Sequence, residues 1–418
     1  MKKNMTLPLV GGALLAASVG VNAEGVIEAT TGVNINETAA LKNLGIEVGG
    51  WADAGITYAS HSNPNGNNGP SGGTSSTIPF GTDRVNEFQL NQAYLFLEKA
   101  VATSGSNWDL GGRVDFLFGT DANSTQGAGW DDQILGSDEN KTFNQYDVAF
   151  PQAYAEIYAP FGNGVTAKIG RFYTIIGYET VTSPDNFFYS HAYTMNYGEP
   201  FTHTGALLSY QINNNWSITG GAVNGWDNFR RNAGGGNWSF LGGVNWTSDD
   251  ERSSLAVSLI TGDEYIVNRN RANVVVGSNS SNRTMYSIVF SHDFSDRLHY
   301  VLQHDLGVQQ NNTSSGRDAD WYGINQYLSY DINDKLAAGL RAEWFSDNGY
   351  TNGGFSRINN FRANYYAISA GVNYSPASWL KFRPEVRYDW ADTNGAGKVF
   401  GGNKNDQVQV AMDMIVTF

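Results

Sequence analysis

Between residues 176 and 202 the chain carries Glu179, Asp185, Tyr189, His191 and Glu199 and no lysine or arginine. Elsewhere acids and bases recur at every second position. Arg113 precedes Asp115, Arg341 precedes Glu343, Lys381, Arg383, Glu385 and Arg387 form one run, and Lys168 stands among apolar neighbours. An acidic segment facing basic rows across water sets a transverse field that sorts solutes by charge and size. The same groups in direct contact make ion pairs and leave no field across an opening. The spacing admits both arrangements. Catalysis fits less well. The 6 histidines (His61, His191, His203, His292, His299 and His304) show no H-E-x-x-H spacing, and there is no phosphate loop or G-x-S-x-G elbow. His299 and His304 fall on opposite faces of one strand. We expect no enzyme and no required cofactor. With 0 cysteines, a disulfide framework, a thiolate nucleophile and a thiolate-bound metal are excluded. The runs NPNGNNG (63–69) and GGNKND (401–406), and Asp121, Asp131, Asp132 and Asp138 in one long loop, are candidate Ca2+ ligands, the aspartates against lipopolysaccharide. Solvated turns share that composition.

Strands must position these side chains, because the dominant pattern past residue 45 has a period of two. At the C-terminus Val408, Val410, Met412, Met414, Val416 and Phe418 oppose Gln407, Gln409, Ala411, Asp413, Ile415 and Thr417. Leu380, Phe382, Pro384, Val386, Tyr388 and Trp390 oppose Lys381, Arg383, Glu385, Arg387 and Asp389. Trp108, Leu110, Val114, Phe116 and Phe118 oppose Asp109, Arg113 and Asp115, and Leu336 to Trp344 repeats the pattern around Arg341 and Glu343. The pattern predicts sixteen strands, near 46–60, 88–101, 107–118, 148–159, 164–175, 203–213, 216–226, 238–247, 253–263, 283–293, 297–307, 321–331, 335–346, 363–374, 379–390 and 407–418. Fourteen or eighteen remain open, since 264–276 also reads as sheet. Many strands exceed the usual soluble length of about 5–6 residues and suit a membrane crossing of about 9–11.

Connections alternate between tight turns (103–106, 160–163, 214–215, 248–251, 295–296, 332–334, 375–378) and long loops rich in Asn, Gly, Ser and Asp. Sorting of this kind, short on one rim and long on the other, predicts an all-β, antiparallel up-and-down transmembrane barrel, periplasmic turns opposite extracellular loops. In hydrocarbon every backbone polar group must be paired, so strands cross only as a closed sheet. A lipid-facing outside and a wet inside reconcile 41% apolar and 13% aromatic content with a mean hydropathy of -0.36. Trp108, Trp344, Trp390, Tyr374 and Phe418, near strand ends, read as interfacial girdles. Arg171 breaks the pattern. Alternation points it outward with Val165, Ala167 and Ile169, and a bulge at Gly170 is expected to turn it inward.

Residues 1–23 read as a secretory signal peptide, with Lys2 and Lys3, an apolar stretch and Val21-Asn22-Ala23 at the cleavage site. Its removal takes the formal charge from -14 to -16. That balance argues against nucleic acid as a partner. Residues 24–45 read as a periplasmic lead-in, placed to plug the mouth, and 46–418 as a single barrel.

The chain resembles the OmpL-like β-barrel porin family of Gram-negative-type bacteria. KIGRFYTIIGYE at 168–179, SPDNFFYSHAYTMNYGEPFTHTGALLSY at 183–210 and the strand ending in Phe418 carry the resemblance. It implies an outer-membrane channel through which small hydrophilic solutes or ions diffuse passively, and it brings no catalytic residues. Phe418 is similar to the terminal signal read by the barrel assembly machinery. Residues 176–202 hold the place of the constricting loop of sixteen-stranded porins, and porins of this size are commonly homotrimers. A secreted β-rich adhesin or lectin does not account for the sorted loops. A barrel hydrolase is the remaining alternative.

Overall fold

The computed structural model describes residues 25–61, 85–102, 104–132, 134, 146–230, 238–269, 275–310, 317–349, 357–358, 361–401 and 403–418. The proposed signal peptide, the 63–69 run and Asp138 lie outside them.

The strands are β1 (Glu47–Ala59), β2 (Phe88–Lys99), β3 (Asp109–Gly119), β4 (Asp147–Ala149), β5 (Ala153–Ala159), β6 (Val165–Tyr173), β7 (Thr202–Gln211), β8 (Trp216–Val223) and β9 (Ser239–Thr247). They continue as β10 (Ser253–Arg269), β11 (Val275–Ser295), β12 (Leu298–Gln309), β13 (Ala319–Asn333), β14 (Leu336–Asp347), β15 (Ala363–Ala377), β16 (Leu380–Asp392) and β17 (Asp406–Thr417). Consecutive strands pair antiparallel except β4 with β5, and β1 pairs with β17 from Trp51↔Thr417 to Ala59↔Gln409, closing the sheet. Both β4 and β5 pair with β3. They are two pieces of one stave, interrupted at Phe150-Pro151-Gln152, where proline has no N–H to offer the ladder. The barrel therefore has sixteen staves. Of the stretch at 264–276, residues 264–269 lengthen β10 and 275–276 lengthen β11, and these described residues add no stave.

Alternation sorts the faces as the sequence pattern requires. Val408, Val410, Met412 and Met414 are exposed on the outside, while Gln407, Gln409, Asp413 and Ile415 are buried inside. The register of β1 on β2 slips between Asp53 and Ala54, opposite Asn91. That bulge changes the phase of β2, so the adjacent Asn91 and Gln92 are both buried.

No bulge occurs at Gly170. β6 pairs continuously with β5 and β7 through it, and Arg171 keeps the outer face of Ile169. It is buried all the same, because the loop after β3 folds over it: Arg171 Nη2 donates to Thr125 O at 2.6 Å and Thr202 Oγ1 at 3.0 Å, and its guanidinium lies 5.7 Å from the Trp130 ring centre. A covering loop takes the place of the inward turn expected from a bulge at Gly170.

The lead-in folds as two short helices, α1 (Val26–Thr31) and α2 (Ala39–Leu44), neither with a buried residue. Asn36 between them imitates a strand partner, donating to Val48 O at 3.0 Å and accepting from Val48 N–H at 2.9 Å. Phe418 closes the same seam through reciprocal backbone bonds with Gly50 at 3.0 and 3.1 Å.

Candidate functional site: a loop bound inside the barrel

β6 and β7 are joined across the long-loop rim by a 28-residue-numbered span, 174–201, that enters the lumen. It forms two short helical turns, Ser183–Asp185 and Thr194–Gly198, and extended segments between them. Glu179, Tyr189, His191 and Glu199 are buried in it, and Asp185 is half-buried. Isolated turns of this length have little stability of their own. The wall supplies the bonds that hold them.

The strongest bonds come from β14 and β16, where a period of two lines Arg383, Glu385, Arg387 and Asp389 in one inward column. Arg341 donates from Nη1 to Glu179 Oε1 at 2.8 Å, from Nε to Glu343 Oε1 at 2.7 Å, and to Ser190 O and Oγ at 2.7 Å each. Arg387 bonds Glu343 at 2.7 Å and Asp389 at 2.8 Å, and reaches His191 O at 3.2 Å. Arg383 is fixed by Asp413, with Nη2···Oδ2 at 2.5 Å, and its Nη1 donates to the carbonyls of Ser183, Asn186 and Phe188 at 2.8, 2.8 and 3.1 Å. Glu385 accepts from Ser190 N–H and Oγ–H at 2.9 and 2.6 Å, and Lys381 donates to Pro184 O at 2.9 Å. Around these positions acid and base are in contact, not ranged in opposing rows across an opening.

β2 holds the near end of the loop. Gln92, turned inward by the bulge, donates to Val181 O at 2.7 Å and accepts from Ser183 N–H at 3.2 Å, while Asn91 accepts from Tyr189 Oη–H at 3.0 Å. Tyr189 packs directly against Gly55, where an added Cβ would lie 2.7 Å from its ring. On β12, Gln303 Nε2 donates both to Glu199 Oε1 at 2.6 Å and to Asp305 Oδ2 at 2.7 Å. Burial and then the neighbouring Asp305 push the Glu199 carboxyl well above the usual carboxylate range. Glu179 is the opposite case. Burial alone would raise it, but Arg341, His191 and the Ala192 N–H outweigh burial and hold its pKa at about 2. Toward the long-loop rim, Ile176, Tyr193 and Tyr197 pack with Phe172, Trp321, Phe345 and Tyr365 in an apolar cluster.

The remaining wall residues named from sequence sit elsewhere. Arg113 bonds Glu98 at 2.8 Å and Asp115 at 2.7 Å, and Lys168 lies 4.3 Å from the Tyr154 ring centre, opposite Glu156 in register. Asp115 also accepts from Gln152 Nε2 at 2.8 Å. These are on β3 and β6, away from the arginines that grip the loop. Sequence reasoning missed Asp53, whose carboxylate accepts from Ser183 Oγ at 2.6 Å, and Ser190, which ties Arg341 to Glu385. Asp53 could have been found from the alternation of β1. A serine in an irregular loop carries no such signal.

In the long loop after β3, Asp131 accepts from the backbone N–H groups of Gly127 and Phe150, both at 2.6 Å, and Asp121 from Gln92 at 2.8 Å. Among the described residues no group of three or more carboxylate or imidazole side chains converges to hold a metal ion.

The family model described as "Putative beta-barrel porin-2, OmpL-like" matches residues 45–418. Among solved structures, the chain is similar to OprB of Pseudomonas putida, with a TM-score of 0.57, 12% identity, and coverage of 92% of this chain and 97% of that one. OmpT of Vibrio cholerae, described in trimer form, gives 0.55 at 11% identity, covering 89% and 99%. An anion-selective porin from Comamonas acidovorans gives 0.52 at 10% identity, covering 89% and 99%. At such identities the likeness is one of fold. No curated protein sequence compared with the chain matches it.

Proposed function

Because the chain belongs to the OmpL-like β-barrel porin-2 family, we propose that it is a non-catalytic channel of the outer membrane, through which small hydrophilic solutes or ions diffuse down their gradients. The observation that carries this reading is the infolded loop: a barrel with an apolar outside and polar inside, narrowed from within by 174–201 bonded to its wall. A sheet that served only as a surface for binding outside partners has no need of a buried charge network fixing a loop in its interior. Export by the general secretory route, engagement of the assembly machinery through Phe418, contact with lipopolysaccharide and assembly as a homotrimer belong to the same proposal. The short-turn rim is then periplasmic. No energy-coupled step is required, because a wet lumen with a fixed constriction passes solute by diffusion alone.

The test is reconstitution of the purified mature chain in a planar bilayer. Stepwise conductance supports the channel. Silence at all voltages, with a folded, heat-modifiable barrel present, overturns it.

A further inference from the structure

Away from its ends the loop bonds to β1, β2, β12, β13, β14 and β16. The inner wall from β3 to β11 is differently furnished, dry where Leu207, Val223, Leu241, Ile260 and Met285 pack in one buried cluster with Ile176, Tyr193 and Tyr197 of the loop. Near the short-turn rim that wall carries Ser209, Thr219, Asn245, Ser254 and Ser258, uncharged and small, with Ser209 Oγ and Thr219 Oγ1 2.9 Å apart. Where it meets β1 and β2 a band of charge crosses the staves at one level. Glu47 pairs in register with Glu98, Glu98 with Arg113, and Glu156 with Lys168. Alternation turns these inward, opposite the exposed Leu97, Val114 and Ile169.

The band differs from the loop-gripping network in its access to water. The Arg113 and Glu98 side chains are 17% and 28% exposed, against 0% for both Arg341 and Glu343. Glu47, Glu156 and Lys168 are likewise half-buried. A buried, fully paired charge cannot meet a passing ion, whereas a partly hydrated one in a confined aqueous space can. Three carboxylates stand here against two cations, and the further inward Asp115 is already bonded to Arg113. Farther around the same rim, His299 bridges Asp293 at 2.6 Å and Asp331 at 3.2 Å, again with more acid than base.

We infer that Glu47, Glu98 and Glu156, set against Arg113 and Lys168, determine the charge preference of solute passing the short-turn mouth, which is for cations. This rests on the channel reading above and adds the residues that select. The arginines of β14 and β16 act on permeation only by placing the loop.

Reversal potentials of the full mature chain in planar bilayers under a KCl gradient at neutral pH test the assignment. The unaltered channel is expected to favour potassium. Replacing Glu98→Gln together with Glu156→Gln moves the permeability ratio about twofold or more toward chloride, and Lys168→Gln moves it toward potassium. Opposite shifts from opposite charges are not produced by a merely structural disturbance. A chloride preference in the unaltered chain, or ratios unmoved in both variants while stepwise conductance persists, overturns the inference and leaves the channel standing. Loss of all conductance in the unaltered, folded barrel removes both. If the double variant does not assemble, Lys168→Gln and the unaltered chain decide the matter.

Discussion

Glu179 of the infolded loop and Arg341 of β14 lie 2.8 Å apart across 162 positions of sequence, both withdrawn from solvent. The contact is one corner of a group in which Arg341 also holds Glu343 and Ser190, so removing it disturbs several partners. Breaking a buried pair by deleting one member typically costs about 3–5 kcal/mol, because the other charge is left uncompensated. Arg341→Ala is therefore expected to release the loop from β14 while the closed sheet persists. Single-channel recordings should show larger or noisier conductance steps. Steps indistinguishable from those of the unaltered chain would show that this contact does not hold the loop.

The depressed pKa of Glu179 fixes the direction of a pH effect. A carboxyl at 4.5 in the unfolded chain and about 2 in the folded one contributes stability that is complete above the higher value. It is lost as pH falls through the lower one, and amounts to roughly 3 kcal/mol. Loop attachment should therefore weaken progressively as pH falls from about 4.5 to about 2. Denaturation of the reconstituted barrel as a function of pH checks this. The variant Glu179→Gln should flatten the acid limb between pH 4.5 and 2, and an unchanged limb would assign it to other groups.

What the sequence made legible was whatever depends on alternation. The inward column Arg383, Glu385, Arg387 and the outward Val408 to Met414 follow from a period of two and occur as that period requires. What it did not make legible depends on breaks in that period or on contacts far along the chain. The β2 bulge that turns both Asn91 and Gln92 inward has no marker in a run of ordinary strand residues. The pairing of Arg341 with Glu179 depends on where an irregular loop descends, and composition does not encode that path. Arg171 shows the converse. Alternation placed it on the outer face correctly, and the expected bulge was unnecessary because a distant loop, carrying Thr125 and Trp130, supplies cover.

Phe418 exchanges backbone bonds with Gly50 at the seam between first and last strands, and its ring lies within 2.8 Å of where a Gly50 Cβ would stand. Closure of the sheet and the proposed recognition of the terminus thus meet at one residue. Phe418→Ala removes the ring and keeps the backbone bonds, so the barrel that does form should be normal in conductance, with less of it assembled. Heat-modifiable mobility of membrane fractions measures the yield. Equal yield would separate the residue from assembly.

Arg171 gives the last prediction. Its guanidinium links the outer wall of β6 to the covering loop through Thr125 O and to β7 through Thr202 Oγ1, with the Trp130 ring centre 5.7 Å away. Next to it Gly127 leaves no room for a side chain, since an added Cβ would lie 1.3 Å from Arg171 Nη1. Replacing Arg171→Leu suits the outward position and removes the bonds to the loop, so the sheet should tolerate it while the cover loosens. Limited proteolysis of whole cells should then cut near residues 125–131 faster than in the unaltered protein, with conductance retained. Gly127→Val should loosen the same cover by sterics with Arg171 intact. Unchanged cleavage in both would mean that the loop is held by its other contacts, chiefly the stacking of Trp130 on Phe229 at 4.5 Å.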